Sequence, residues 1–415
     1  MNPYRIVTIC DDIFAETGFS NEMKNILFRF AALPEYEVHW LSLQQVGYSR
    51  VIPDSAIEDI PTRGAKIISH GLVTDSDRNG LLLKRLYEIS PDIMFNVGDP
   101  HHFVEPINMK KIFPFFFIGY TTLDGLPIPP SWRPIFENID FPICMTEWAN
   151  YEFLKAGFKM GGYVHHGVNW EWWQTTEEER LRAKKRYGLE DYVIFGNWDS
   201  NQFRKQDSLL LRAWAKTNPE SKKMKLFLCK DSNCRLGNNL EQLIEQYGIP
   251  RETVILPEDI SPTNTKKFFD AAEPPSKHRE ECRLFDVYVS ATAGEGFGKC
   301  ALEAHALGIP VIIGDHTACS EVSEKGSILI PVKSYYRPRD SVKGVDLSII
   351  DEDKLAEAIV YLYNNKEERR ELGAIGREFA KQFDYDEVIF PAWKEMFKRF
   401  NPDTVIANEL LRLTE

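Results

Sequence analysis

The chain has no apolar stretch long enough to cross a bilayer. Its most apolar run, residues 113–120 (FPFFFIGY), is short and interrupted by Pro114, whereas a spanning helix needs about 20 apolar residues in succession. The start, MNPYRIVTICDD, reaches an apolar strand pattern at once, so neither a signal peptide nor a membrane span is expected. Cysteine pairing is missing too. The seven cysteines form no CxxC pair and no Cys/His spacing suited to zinc, which points to free thiols in a reducing compartment and so to a cytoplasmic location. There is no surplus of basic residues either. Net charge is −12, with 15 Lys and Arg against 24 Asp and Glu in residues 1–180, and 35 against 38 in the remainder. Binding to a nucleic-acid backbone rests on basic patches, so the acidic first half speaks against nucleic acid as a partner; peripheral contact with a membrane surface stays open.

What is present suits two buried cores. A length of 415 residues with 43% hydrophobic and 12% aromatic content matches two domains of roughly 200 residues each. The first half alternates strand and helix patterns: an apolar strand over 4–10, an amphipathic helix over 21–32, strands over 37–42, 66–69, 92–97, 112–120 and 162–165, with helices over 77–90 and 148–156 between them. Such alternation predicts a parallel sheet covered on both faces, with ligands at the carboxyl ends of its strands. A charged helix over 176–187 leads into a second set, with strands over 192–198, 225–230 and 253–256. Helices follow over 208–215, 240–247 and 263–272. The fold class expected is α/β, with domains at 1–174 and 175–385 and a C-terminal helical segment at 386–415.

The most informative segment is 286–315, DVYVSATAGEGFGKCALEAHALGIPVIIGD. Asp286 to Ser290 reads as a buried strand, and the glycines at 294, 296 and 298 end it in a turn. A helix is then expected from about Lys299. Glycines at such a turn let backbone N–H groups and the helix N-terminus approach an anion such as a diphosphate. Glu295 lies in the turn and Glu303 inside the helix, so both can face one crevice at different depths.

This segment resembles the Glu-x7-Glu signature of retaining glycosyltransferases of the GT-B fold, in particular family four, where the pattern is close to EGFGLPxLEAMAxGxPVI. The match runs from Gly294 to Ile312, with Lys299 and Cys300 in place of the usual Leu-Pro. The resemblance implies two Rossmann-like parallel-sheet domains facing across a cleft, with a C-terminal helix crossing back to the first. It implies that Glu303 holds the ribose hydroxyls of a nucleoside diphosphate sugar and Glu295 a hydroxyl of the transferred sugar. The amides of Gly296, Phe297 and Gly298 would support the phosphate or sugar. Residues 195–211, FGNWDSNQFRKQDSLLL, resemble the family segment GRNQxRKGIDLLL, which places Arg204 and Lys205 on the donor diphosphate. Ser200 and Gln206 depart from the arginine and glycine usual there, so one positive charge is missing or supplied elsewhere.

Other candidates come from the first half. The loop ending TGFS resembles the family's first strand-to-helix loop, with Gly18 permitting close approach of a phosphate or acceptor and Ser20 available as a helix cap. Residues 119–132, GYTTLDGLPIPPSW, resemble a cleft-facing segment in which Asp124 meets an acceptor hydroxyl or the sugar. His101 and His102 fall where the family places one active-site histidine. His166 and Gly167, in VHHGVNW, fall on the interdomain hinge, and Glu321 matches a common acidic position. The DxD-like strings at 75–77, 351–353 and 384–386 follow no convincing nucleotide-binding strand, so no metal and no further cofactor are expected. The reading is a retaining, metal-independent transfer from a UDP- or GDP-sugar to a saccharide or glycoconjugate hydroxyl. The alternatives are a catalytically silent sugar-nucleotide or glycan-binding protein, another GT-B enzyme such as an epimerase or phosphorylase, or a transferase acting on nucleic acid. The base pocket is expected near 256–260, and 273–283 reads as an insertion.

Overall fold

A computed structural model describes residues 3–15, 17–57, 60, 64–74, 77–234, 237–256, 281–338 and 344–399. The expected helix over 263–272, most of the 273–283 insertion, positions 257–260 of the base pocket and two residues of the 75–77 string lie outside these residues. The chain forms two compact units. One comprises Met1–Leu123, Ile128–Gly167 and Tyr385–Glu415, the other Asp124–Pro127 and Val168–Asp384. The crossing thus falls after 167 where the sequence pattern placed it after 174, and four residues of the first half are built into the second unit.

The first unit holds a seven-stranded sheet in the order β3-β4-β2-β1-β5-β6-β7. Its strands are β1 (Tyr4–Cys10), β2 (Tyr36–Val46), β3 (Ser49–Pro53), β4 (Lys66–Val73), β5 (Ile93–Gly98), β6 (Phe116–Thr121) and β7 (Phe141–Cys144). Strand β1 pairs in parallel with β2 and β5, so strand order reverses beside it. Strand β3 departs from the expected all-parallel sheet, pairing antiparallel with β4 at the edge. Strand β6 begins at Phe116 and not at 112, because Pro114 has no N–H to give a ladder. The strand expected over 162–165 reduces to a single bridge, Cys144 to Tyr163, next to Gly162 at φ 120.

The C-terminal helix Phe390–Arg399 belongs to this unit and closes its core. Trp393 lies 5.0 Å from the Phe95 ring and 4.9 Å from Tyr120, and Phe397 lies 4.2 Å from Phe30. A single π-helical turn, Tyr385–Ile389, precedes it. There Tyr385 donates to the buried carboxylate of Glu22, and Asp386 accepts two bonds from Arg29 at 2.8 and 3.2 Å.

The second unit holds a six-stranded parallel sheet in the order β10-β9-β8-β11-β12-β13, the doubly wound arrangement. Its strands are β8 (Val193–Asn197), β9 (Met224–Leu228), β10 (Val254–Ile255), β11 (Val287–Val289), β12 (Val311–Gly314) and β13 (Ser327–Ile330). Buried Leu209, Leu226, Val287, Val289, Ile312 and Ile359 share its core. An antiparallel hairpin, β14 (Val332–Tyr336) with β15 (Leu347–Ile350), is added. No sequence expectation covered it.

Candidate active site

Strand order in the second unit reverses at β8, with β9 on one side and β11 on the other. Loops leaving the carboxyl ends of two such strands diverge and open a crevice. Here they are the segments after Asn197 and after Val289, which carry the residues singled out from the sequence.

Arg204 and Lys205 stand on a short 3-10 turn, Phe203–Lys205, stopped by Gln206 at φ 54. That left-handed conformation explains why the resembling family favours glycine there. Gln206 uses its side chain to donate to the Tyr336 hydroxyl at 2.9 Å, tying the turn to β14. Lys205 Nζ lies 2.5 Å from Glu295 Oε1 and 3.2 Å from Asp199 Oδ1. Arg204 reaches Glu295 Oε2 at 3.1 Å, approaches Asp124 at 3.9 Å and donates to the Gly294 carbonyl. Two cations thus interleave with three carboxylates. The structure brings Asp124, Arg204, Lys205 and Glu295 together, and Arg204 supplies a guanidinium to the site although Ser200 does not.

The environment fixes the charges. Burial alone would neutralise Glu295, but Arg204 and then Lys205 hold its carboxyl below the usual range. Asp199 is lowered likewise: burial opposes its charge, and Lys205 and Lys230 outweigh burial. Burial also works against both cations, yet Glu295 and Asp124 keep Arg204 charged, and Asp199 and Glu295 raise Lys205. Ser290 donates to Asp199 at 2.6 Å and Thr292 to Glu295 at 2.6 Å.

Asp199, Ser290 and Thr292 were not singled out in the sequence, and in the loop after β12 only Glu321 was. There His316 Nε2 lies 3.0 Å from the Thr292 carbonyl, and Thr317 Oγ1 accepts the Glu295 N–H at 3.2 Å. Thr317 is β-branched yet sits at φ 49, a conformation such residues avoid. The one legible signal for Asp199 was its place directly after a strand, in NWDS.

The signature glycines differ in role. A Cβ on Gly294 would lie 2.0 Å from the Asp124 carbonyl oxygen, so this glycine admits the 124–127 segment. Gly298, at φ 97, is the N-cap of helix Lys299–Ala306 and has no side chain to cap it. Gly296 and Phe297 are buried in the turn. Glu303, inside the helix, accepts from the Trp198 indole N–H at 3.1 Å.

The first unit carries the remaining candidates. Gly18 opens helix Gly18–Ala31, whose cap is Thr17 and not the expected Ser20; Thr17 accepts the Ser20 N–H at 3.2 Å. Nothing stands within 4 Å of a Cβ placed on Gly18. At the carboxyl end of β5, Asp99, His101 and His102 place ligand atoms within 4.8 Å of one another, the one such metal-compatible group among the described residues. His102 Nδ1, however, accepts the Asp99 N–H at 3.0 Å. The ring proton is therefore on Nε2, which makes His102 a hydrogen-bond donor there and a poor metal ligand. Gly98 permits this placement, since a Cβ on it would meet His102 Nδ1 at 2.6 Å. His166 is buried 3.5 Å from Glu22.

Comparison with known proteins agrees with this architecture. Residues 200–379 match the family model for glycosyl transferases group 1. No curated protein sequence matches the chain. Among solved structures, Anabaena HepE in complex with UDP and glucose superposes with a TM-score of 0.70 at 13% identity, covering 96% of this chain and 100% of HepE. Sucrose-phosphate synthase from Thermosynechococcus elongatus gives 0.70 at 15% identity over 95% of this chain and 98% of that one. WaaG, a glycosyltransferase involved in lipopolysaccharide biosynthesis, gives 0.64 at 14% identity over 93% and 98%. The chain therefore has the GT-B fold of these glycosyltransferases, with the group 1 match lying in its second unit.

Proposed function

We propose that the protein is a retaining, metal-independent glycosyltransferase that moves a sugar from a UDP- or GDP-sugar to a hydroxyl of a saccharide or glycoconjugate. The observation that carries this reading is the interleaved cluster of Arg204 and Lys205 with Glu295, at the switch point of a doubly wound sheet. One buried and one half-buried cation suit the charge that gathers on a departing nucleoside diphosphate. The group 1 match over the same loops and the UDP, UDP-glucose and glucose held by HepE support a nucleotide-sugar donor.

In this reading Arg204 and Lys205 bind the diphosphate together with the amides of Gly296, Phe297 and Gly298. Glu295 and Asp124 orient hydroxyls of the sugar, and Glu303 binds the ribose. The bond from the anomeric carbon to the diphosphate oxygen breaks as the acceptor oxygen attacks from the same face. The acceptor proton passes to the leaving phosphate, so no protein nucleophile is required. His102, and His101 beside it, would contact substrate, with the Nε2–H of His102 as a hydrogen-bond donor. Gly18 leaves room for an anion or acceptor at its helix N-terminus.

The test is thermal stabilisation by UDP-, GDP- and ADP-sugars with EDTA present, since a ligand selective for the folded state raises its melting temperature. A shift that one base produces, and that Glu303→Gln abolishes, is expected. Absence of any shift would overturn the donor site; a shift without turnover would favour a silent binding protein.

A further inference from the structure

We infer that Trp198 is a positioning residue that sets how Glu303 meets the donor's ribose. The inference rests on the donor-site reading above. Trp198 follows β8 and is 6% exposed; its Nε1 donates to Glu303 Oε2 at 3.1 Å. An indole N–H is a donor only, so it needs an acceptor, which the Glu303 carboxylate supplies, and the bond restricts rotation of that group about its stem.

The indole itself has little freedom. Phe285 stacks on it at 5.3 Å and 16°, and Tyr288 meets it edge-on at 4.6 Å. Space for the Phe285 ring comes from Gly196, where a Cβ would lie 2.3 Å from the ring. On the other side Cys300, one turn before Glu303 on the same helix, approaches the Trp198 carbonyl at 3.8 Å. Trp198 is thereby anchored to the sheet through Phe285 and Tyr288, and to the signature helix through Cys300 and Glu303. Bonding to a charged acceptor gives this contact more weight than a neutral hydrogen bond has.

The role predicted is ribose selection through Glu303, with no contact between Trp198 and the reacting atoms. Three variants separate this from packing: Trp198→Phe, Glu303→Leu and the double variant. A fourth places the sulfur isostere of tryptophan at 198, keeping the ring and losing the N–H, so that a folding defect in Trp198→Phe does not decide the outcome. Binding and turnover are measured with the UDP- or GDP-sugar that stabilises the native protein and with its 2′-deoxy analogue. Losing the N–H should weaken donor binding about tenfold with turnover at saturation little changed. Preference for the ribose form over the deoxy form should fall in parallel. In the Glu303→Leu background, which offers the indole no acceptor, loss of the N–H should add nothing further. Native affinity and ribose preference in the isostere, or an equal loss with and without Glu303, would overturn the role of Trp198 and leave the donor site standing. A native protein that binds none of the nucleotide sugars would overturn the donor site, and the inference with it.

Discussion

Lys205 Nζ and Glu295 Oε1 lie 2.5 Å apart, each side chain about nine-tenths buried, and the same ammonium reaches Asp199 at 3.2 Å. That ammonium is the leading counter-charge of Asp199 and the second, after Arg204, of Glu295. Lys205→Met would leave two like charges facing each other out of water. Removing one partner of a buried pair costs about 3–5 kcal/mol. Urea unfolding should show a loss of that order, and donor binding should disappear with it.

A second buried pair lies nearby, and its lysine also lowers the Asp199 carboxyl. Lys230 and Asp207 are almost wholly buried and 2.7 Å apart. Lys230→Met alone should destabilise by about 3–5 kcal/mol, whereas Lys230→Met with Asp207→Leu should recover most of the loss, since an apolar replacement of both partners is often neutral. A double-mutant cycle in denaturant measures the difference.

The Gly294 close approach predicts an outsized effect from one methyl group. Gly294→Ala places a Cβ against the Asp124 backbone oxygen, where neither side is a flexible chain end. The cost expected is at least the roughly 1–3 kcal/mol of ordinary overpacking, with displacement of Asp124 and loss of activity. Gly298→Ala meets only Glu295 carbons at 4.0 Å. Its cost is the strain of φ 97, about 1–2 kcal/mol. Melting temperatures of the two variants should rank accordingly.

Acid should weaken the fold in two stages. Burial holds His70 down to about 4 and His305 to about 3. The unfolded chain therefore takes up protons below about pH 6.5 that the folded chain refuses, and stability falls as pH drops from there towards 4. The lowered carboxyls of Glu295 and Asp199 contribute stability above about pH 4 that is lost only below it. Melting temperature against pH should thus begin to decline near 6.5, and His70→Asn should reduce the first stage alone.

What the sequence disclosed follows from how locally each feature is encoded. Strand β1 matches its apolar pattern end to end, and the helix begins at Lys299 as the glycine turn requires, because both are written in neighbouring residues. Hairpin β14–β15 escaped notice because its first strand buries almost nothing, with Lys333, Ser334 and Tyr335 all exposed; no alternation marks it. Asp199 escaped because its meaning is supplied by Lys205 and Ser290, one in the same loop and one across the sheet. Arg204 and Lys205 could be picked out as a pair, but that Arg204 bonds Glu295 is a matter of three-dimensional folding. The expected Ser20 cap failed for a simpler reason: Thr17 stands at the helix start and uses the same bond.

The four residues Asp124–Pro127 have a consequence for dissecting the protein. They are contributed by the first half of the chain, yet Leu126 pairs with Asp346 and Asp124 fits against Gly294 in the second unit. A fragment spanning 168–384 would be a contiguous piece of sequence but an incomplete piece of structure, missing a stave from its own wall. Supplying a short peptide of residues 124–127 in trans could not easily repair it, since four residues hold too little surface to overcome the entropy of being localised. Evolution of this chain by exchanging its second half with that of a relative would have to carry, or accommodate, a fragment encoded some forty residues upstream of the seam.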